Sequence, residues 1–293
     1  MSATTSPVRS SPTARPPRLG AAARRRGAGA GRWVLLAALG LFFLVPQLAM
    51  ARFAFQNIPV ATLTLSNLTE SWSLRRLGEA LTEPGLWEAT QVSVTLAVLA
   101  IVLNLALLLP LAVLAEIRAP RLRPVLTGVT LLPWVIPPIA LVVGVAATFR
   151  TIAPWFLSST LSLVPFYALW AMPFTYRALD AGLRGMNART LVEAAQGLGA
   201  SMPTVLFRVI VPNMSASIVA AGGLTAATVL GEFAFASLLL KETLPTYLVV
   251  YQRQAPQAGM ALALTLLLLT TLALGAVVQL LRRRGLGVTT TGI

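Results

Sequence analysis

Residues 88–115 read EATQVSVTLAVLAIVLNLALLLPLAVLA, a run in which the leading glutamate is the only charged residue. At about 1.5 Å per residue, a helix of this length measures about 42 Å, more than the roughly 30 Å hydrocarbon core of a bilayer. A helix also satisfies its backbone polar groups within one segment, as lipid requires. The run therefore predicts a membrane-spanning helix.

The rest of the chain has the same apolar character. Hydrophobic residues make up 56% of the 293 residues, charged residues make up 11%, and the mean hydropathy is +0.78. A globular domain carries about 25% charged residues, so an ordinary soluble protein is excluded. The chain contains neither cysteine nor histidine, which excludes disulfides, thiolate or imidazole metal ligands and His-based catalysis.

Six apolar runs are long enough to cross a bilayer, which predicts an all-α, polytopic membrane protein with six transmembrane helices. The runs cover residues 33–50, 88–115, 124–149, 156–176, 210–240 and 257–281. The first follows an Arg-rich stretch and ends near Ala49-Met50-Ala51, a pattern that also fits a cleaved signal peptide. Its length and the polytopic remainder of the chain favour an uncleaved first span.

Positive charge predicts the orientation in the membrane. Seventeen of the 23 Lys and Arg residues lie in four segments that are cytosolic if both termini are cytosolic, as the positive-inside rule requires. Arginine outnumbers lysine 22 to 1, which indicates a GC-rich bacterial genome and hence a bacterial inner membrane. The net charge of +14 is spread over these segments. Contact with anionic lipid is therefore favoured and nucleic-acid binding is excluded.

These boundaries divide the chain into four parts. Residues 1–32, rich in Pro, Ser, Gly and Arg, are predicted to be a disordered basic cytosolic tail. Residues 33–86 contain the first transmembrane helix and an extracytoplasmic segment, and residues 283–293 form a second cytosolic tail. The transmembrane core, residues 87–282, includes a long cytosolic loop at 177–211.

The cytosolic loop has the pattern of two short helices. In the first, apolar residues recur at i, i+3, i+4 and i+7, on Leu191, Ala194, Ala195 and Leu198. Thr190 followed by Glu193 three residues later is a capping-box pattern and predicts the start of this helix. Gly199 suits the left-handed residue that ends it.

A second helix is predicted directly afterwards. Ser201 suits its N-cap and Pro203 its first turn, where a missing N–H is harmless. Its apolar face continues towards Pro212 through Met202, Leu206, Val209 and Ile210.

The spacing of this loop resembles the EAA loop of ATP-binding-cassette importer permeases. That pattern is EAA, three residues, Gly, nine residues and I-x-L-P. The identical positions are Glu193, Ala194, Ala195, Gly199 and Pro212, and the conservative departures are Val209 and Val211. The resemblance covers residues 90–282 and implies a type I importer permease whose loop, including Leu198, docks on a separate ATPase. The alternative is that Glu193 caps its own helix and the alanines pack on the bundle.

The resemblance also implies the partners. These are two ATPase subunits that hold ATP and Mg²⁺, a second permease that is identical or homologous, and an extracytoplasmic substrate-binding protein. The chain has no P-loop of its own, because its one lysine, Lys241, follows Leu240 where that motif has glycine. No cofactor, metal site or catalytic residue is therefore predicted in this chain.

One carboxylate is predicted within the membrane, in Gly231-Glu232-Phe233 of the fifth span. Because a carboxylate facing lipid is costly, Glu232 should face the bundle interior or a water-filled cavity. Similar Gly-Glu-Phe segments in permeases for polyamines, sulfate, molybdate and iron imply a place near the gate or translocation path. A hinge or an interhelical hydrogen bond is the alternative. Asn104 is a second candidate for the path, and a bond between helices is its more ordinary role.

The predicted function is the membrane subunit of an ATP-driven importer. The spermidine/putrescine permeases are the branch that it resembles most, so a polyamine or similar small solute is the expected substrate. The alternative is an ion-coupled secondary transporter that uses Glu232 as its cation site, although no inverted repeat is apparent. An intramembrane enzyme is disfavoured, since the sequence has no paired carboxylate, metal-ligand cluster or nucleophile–base pair.

Overall fold

The computed structural model describes residues 21–58, 67 and 70–283, and no strand occurs within these residues. The predicted all-α class is confirmed. The helices are α1 (Ala21–Phe55), α2 (Arg75–Leu81), α3 (Pro84–Ile117), α4 (Leu122–Val135), α5 (Pro138–Ile152), α6 (Pro154–Ser158), α7 (Leu163–Gly185), α8 (Ala188–Gly197), α9 (Met202–Val205), α10 (Val211–Asn213), α11 (Ser215–Leu230), α12 (Ala234–Leu238), α13 (Leu244–Gln254) and α14 (Pro256–Arg283). A 3₁₀ turn (Thr160–Ser162) precedes α7, and a π-helical segment (Leu206–Ile210) follows α9.

Residues 1–50 and 51–293 form two separate units. In the first unit, the described residues are all part of α1, and its apolar side chains from Trp33 onward are almost all exposed. The predicted disordered tail is wrong at its end, because residues 21–32 are helical. Ala and Arg favour this earlier start, whereas Gly27, Gly29 and Gly31 each oppose it by about 1 kcal/mol relative to Ala. Residues 1–20 of the predicted tail, and all but the first residue of the tail at 283–293, lie outside the described residues.

Four described helical stretches are long and apolar enough to cross a membrane: Gly31–Phe55, Pro84–Ile117, Ser215–Leu238 and Pro256–Leu280. The bent pair of α4 and α5 raises the number to five if it counts as one span. The predicted number of six is therefore not confirmed.

The third predicted span, residues 124–149, is broken in the middle. α4 and α5 meet at 88°. Ile136 and Pro137 adopt extended backbone between them, with ψ angles of 122° and 137°. Each of these residues precedes a proline, and the proline ring disfavours helical backbone in the residue before it. The consecutive prolines thus break the helix where the sequence suggested only a kink.

The fourth predicted span, residues 156–176, is displaced along the chain. The continuous helix there is α7, which begins at Leu163 and carries Arg177, Asp180 and Arg184 in its final third. These charges lower its mean hydropathy, so it is not among the apolar candidates. Ten residues of α7 are nevertheless buried, because it packs between α3 and α11.

The buried residues of the second unit form two main clusters. The elbow cluster lies where α3 and α7 end and includes Leu108, Leu179, Val192, Val205 and Met214. The break cluster lies around α12 and includes Leu96, Val142, Phe166, Tyr167 and Phe235. Since lipid is as apolar as these side chains, close packing and interhelical hydrogen bonds hold such a bundle together.

Candidate functional site

The predicted cytosolic loop folds into an elbow (residues 188–213) made of α8, a turn, α9, the π-helical segment and α10. α8 is fixed on one side only. Ala188 and Val192, one helical turn apart, are fully buried in the elbow cluster, and Ala195 packs against it. This side of the elbow is therefore part of the bundle.

The opposite side of α8 is free. Leu198 is 90% exposed, and Glu193 and Ala194 are also exposed. The exposure of Ala194 and Leu198 fits the predicted docking surface better than the alternative in which the alanines pack on the bundle, and Val192 provides the buried side. The Arg189 Nε donates to the Glu193 Oε1 at 3.0 Å along the helix surface. The exposed tip thus combines one large apolar side chain with small and charged neighbours.

The start of α8 differs from the prediction. Asn187 precedes the helix with φ 49°, a left-handed conformation that Asn tolerates better than most residues. Thr190 lies within the first turn and is not the N-cap. The predicted capping box is therefore wrong, and Glu193 is paired with Arg189.

The end of α8 is as the sequence predicts. Gly199 has φ 84°. The Ala200 N–H donates to the Ala195 carbonyl at 3.1 Å, and the Gly199 N–H donates to the Gln196 carbonyl at 2.9 Å. These are the two hydrogen bonds of a Schellman motif, whose left-handed residue is usually glycine. Gly199 therefore sets the direction in which the chain leaves α8.

The second half of the elbow continues into a spanning helix. Ser201 occupies the N-cap of α9, although its hydroxyl bonds to the Thr204 hydroxyl at 2.9 Å and not to the backbone. After Val205 the helix widens into the π-helical segment, a geometry frequent at functional sites, and then passes through Pro212. Met214 alone separates α10 from α11.

The Gly-Glu-Phe segment forms a break between α11 and α12. Glu232 is only 8% exposed, and its Oε1 accepts hydrogen bonds from the N–H groups of Ala234 at 2.7 Å and Phe235 at 3.1 Å. A carboxylate at this position satisfies backbone donors that the first turn of α12 leaves unpaired. Gly231 and Phe233, on either side, are exposed.

This break lies close to the one between α4 and α5. α12 packs on α5, and Phe235 in α12 contacts Trp170 with ring centroids 5.5 Å apart. Trp170 in turn stacks on Trp134, near the end of α4, at 4.8 Å. Non-helical backbone at membrane depth is tolerated only where protein buries it or where it lines a water-filled cavity. The convergence of two breaks was not predicted, and the closely spaced prolines of α4 and α5 were its signal.

Asn104 lies at a junction of three helices. It is fully buried, and its Nδ2 donates to the Ala168 carbonyl at 3.1 Å and to the Thr175 Oγ1 at 3.3 Å. The hydroxyls of Thr175 and Thr225 are 2.7 Å apart. This chain of hydrogen bonds connects α3, α7 and α11 and corresponds to the interhelical alternative for Asn104.

At the other end of the bundle, α13 lines a cavity of about 500 Å³ together with Glu83 and Glu242. Tyr247 and Tyr251 of α13 are stacked, with ring centroids 5.7 Å apart. Burial and the nearby Glu83 carboxylate raise the pKa of both tyrosine hydroxyls above the ordinary value. Lys241 also lines this cavity, and its Nζ donates to the Ser158 carbonyl at 2.9 Å.

The sequence pattern of the family described as "Binding-protein-dependent transport system inner membrane component" matches residues 108–285. This is more than half of the chain and includes both the elbow and the Gly231–Phe233 break. The chain belongs to this family.

The fold of the permease is similar to that of a solved importer. A chain from "Crystal structure of a bacterial ABC transporter involved in the import of the acidic polysaccharide alginate" aligns with a TM-score of 0.64. The alignment covers 89% of the permease and 98% of that chain at 16% sequence identity, so the likeness concerns the fold. No curated protein sequence matches the permease significantly. The permease is a multi-pass inner-membrane transport subunit and not an enzyme.

An ionic cluster of the permease was not predicted from the sequence. Arg123 Nη2 lies 2.8 Å from a Glu116 carboxylate oxygen and 2.7 Å from one of Asp180, and Asp180 also pairs with Arg184 at 2.7 Å. The cluster ties α3, α4 and α7 together at the end of the bundle where the elbow lies. Its members come from distant parts of the chain, so only the shared location of the charges at span ends could have indicated it.

Proposed function

We propose that separate ATPase subunits drive this importer permease by docking on the elbow. The observation that carries this proposal is the two-sided packing of α8. Val192 is buried in the bundle, while Leu198 and Glu193 on the other side are exposed. A docked subunit would therefore contact a surface that is firmly attached to the helices. The EAA-like spacing of the same residues supports the assignment.

The proposed assembly contains two ATPase subunits that bind ATP and Mg²⁺, a second permease that is identical or homologous, and an extracytoplasmic substrate-binding protein. In this arrangement both termini and the elbow are cytosolic, in agreement with the distribution of Arg residues. The exposed Gly231 and Phe233 lie at a helix break, a position suited to a path between two permeases.

We further propose that the solute is a small organic cation of the polyamine type. Among the described residues that line the outer cavity, Glu83 and Glu242 outnumber Lys241, so its net charge is negative. The stacked rings of Tyr247 and Tyr251 suit an ammonium group, which is attracted to aromatic faces. The solved importer of an acidic polysaccharide shares 16% identity with this chain, so its cargo is not carried over.

The ion-coupled alternative has less support. An ATP-driven permease would use the elbow for docking, whereas a secondary transporter would leave it unused. The Glu232 Oε1 is also already engaged by two backbone N–H groups.

A charge at the exposed tip of the elbow tests the docking. Leu198→Asp should lower the amount of ATPase that co-purifies with the permease at least tenfold, because docking would bury the new carboxylate, at a cost of several kcal/mol. ATP-driven spermidine uptake into proteoliposomes should fall in parallel.

The matched control is Leu240→Asp, since Leu240 is 93% exposed and lies in the segment before α13, outside the elbow. This variant should retain the ATPase. Normal co-purification and uptake with Leu198→Asp would contradict the docking proposal. Normal ATP-driven uptake of another solute with no transport of spermidine would contradict only the proposed substrate.

A further inference from the structure

An apolar groove of about 330 Å³ opens between the last third of α3 and the second half of the elbow. Val113 and Leu114 line it from α3, and Leu206 and Phe207 line it from the elbow. Phe207 is 68% exposed. Such a large aromatic side chain beside an open apolar groove indicates that something apolar covers it.

One cation stands at this groove. Arg118 is the one charged side chain among the described residues that line it. Unlike Arg123, it takes part in none of the ion pairs formed by the described residues. It directly follows Ile117, the last residue of the candidate span Pro84–Ile117. An Arg at the end of a span would reach the membrane surface, where lipid phosphates are found.

The groove is continuous with an exposed apolar surface of α3. Leu107, Leu111 and Leu114, spaced i, i+4 and i+7 on one side of the helix, are 45%, 40% and 39% exposed. This stripe ends in the groove, one turn before Arg118. An apolar track that ends at a cation matches the shape and charge of an anionic phospholipid.

We propose that this groove binds an anionic phospholipid, with an acyl chain against Leu114 and Phe207 and the phosphate paired with Arg118. A free phosphate could not use the apolar walls, and a zwitterionic lipid would bring its own ammonium group near Arg118, so that its phosphate would be attracted less strongly. The bound lipid would contact α3 and the elbow at once. Lipid occupancy would thus hold the elbow in place and modulate ATP-driven transport.

Native mass spectrometry of the full chain in detergent tests the proposal. The probes are dioleoylphosphatidylglycerol and dioleoylphosphatidylcholine. The wild type should bind the anionic lipid more tightly, and Arg118→Gln should weaken that binding about fivefold, the effect of one Arg at a membrane surface. Leu114→Trp should fill the groove and weaken the binding of both lipids. Thermal unfolding of each variant confirms that it is folded.

Arg121→Gln is the matched control, because Arg121 is an exposed residue of the same loop that does not line the groove. It should leave lipid binding unchanged. Equal losses of anionic-lipid binding in Arg118→Gln and Arg121→Gln would show that the lipid is attracted to the basic loop in general and not to the groove, and would overturn the proposal. Equal binding of both lipids by the wild type, or displacement of the lipid by an added ATPase or second permease, would also overturn it. The comparison of lipids and variants uses the permease alone, so that its result does not depend on the docking proposal.

Discussion

At Gly199, one backbone dihedral decides how the two halves of the elbow are oriented. Its φ of 84° is one that an L-residue adopts only at a cost of about 1–2 kcal/mol. A Cβ at this position would have no atom within 4 Å. The effect of a larger side chain therefore comes from backbone strain and not from a clash.

Gly199→Val should reduce the solute transported per ATP hydrolysed, since the strained turn would reorient α8 while leaving the spans inserted. Coupled ATPase and uptake assays in proteoliposomes measure this ratio. Gly199→Asn should retain more coupling, because Asn tolerates the left-handed conformation. Gly197→Ala, in helical backbone with open space around it, is the control and should behave like the wild type. Full coupling in Gly199→Val would show that the turn has no part in transmission.

At the scale of helices, the apolar runs were the reliable predictor. Residues 88–115 and 257–281 correspond to α3 and α14, because a run longer than the bilayer needs no tertiary information. The break at Ile136 comes from consecutive prolines, which the hydrophobic pattern does not register. The start of α7 depends on its packing against α3 and α11.

The candidate site was also predicted only in part. The left-handed backbone of Gly199 follows from local chemistry, so the sequence correctly predicts that this residue ends α8. The sequence indicated that Glu232 avoids lipid, but its N–H partners exist only once α12 turns away from α11. The Arg123–Asp180 pair and the groove at Arg118 bring together residues far apart in the chain, so no spacing rule could reveal them.

The hydrogen-bonded junction at Thr175 gives a prediction at this scale. Thr175→Val keeps the shape of the side chain but removes the hydroxyl that bonds Asn104 and Thr225. The free energy of unfolding in detergent should fall by about 1 kcal/mol, typical of interhelical bonds in membranes. Thr228→Val is the comparison, because the half-buried Thr228 hydroxyl donates to the Leu224 carbonyl of its own helix. A loss as large in Thr228→Val would argue against a special role for the junction.

At the scale of the whole molecule, Gly231 and Phe233 are exposed at the break between α11 and α12, which raises the question of what covers them in the assembled importer. Phe233→Cys, labelled with a maleimide photo-crosslinker, should capture the second permease subunit if the path lies between two permeases. The chain contains no cysteine, so the label has one site, and mass spectrometry of the product distinguishes an identical from a homologous partner. Leu268→Cys, at a 62% exposed position of α14, is the control and should capture lipid. Capture of the ATPase at position 233 would show that the break faces the ATPase. It would contradict a path between two permeases at this position.

The junctions of the elbow limit how its movement can be absorbed. It is joined to α7 through Met186 and Asn187 alone, and to α11 through Met214 alone. Neither connection has spare chain length that could stretch or slacken. If ATPase subunits dock on the elbow as proposed, little chain would absorb a push on α8 before it reached α7 and α11, and movements at the nucleotide site and near Glu232 would occur as one concerted event.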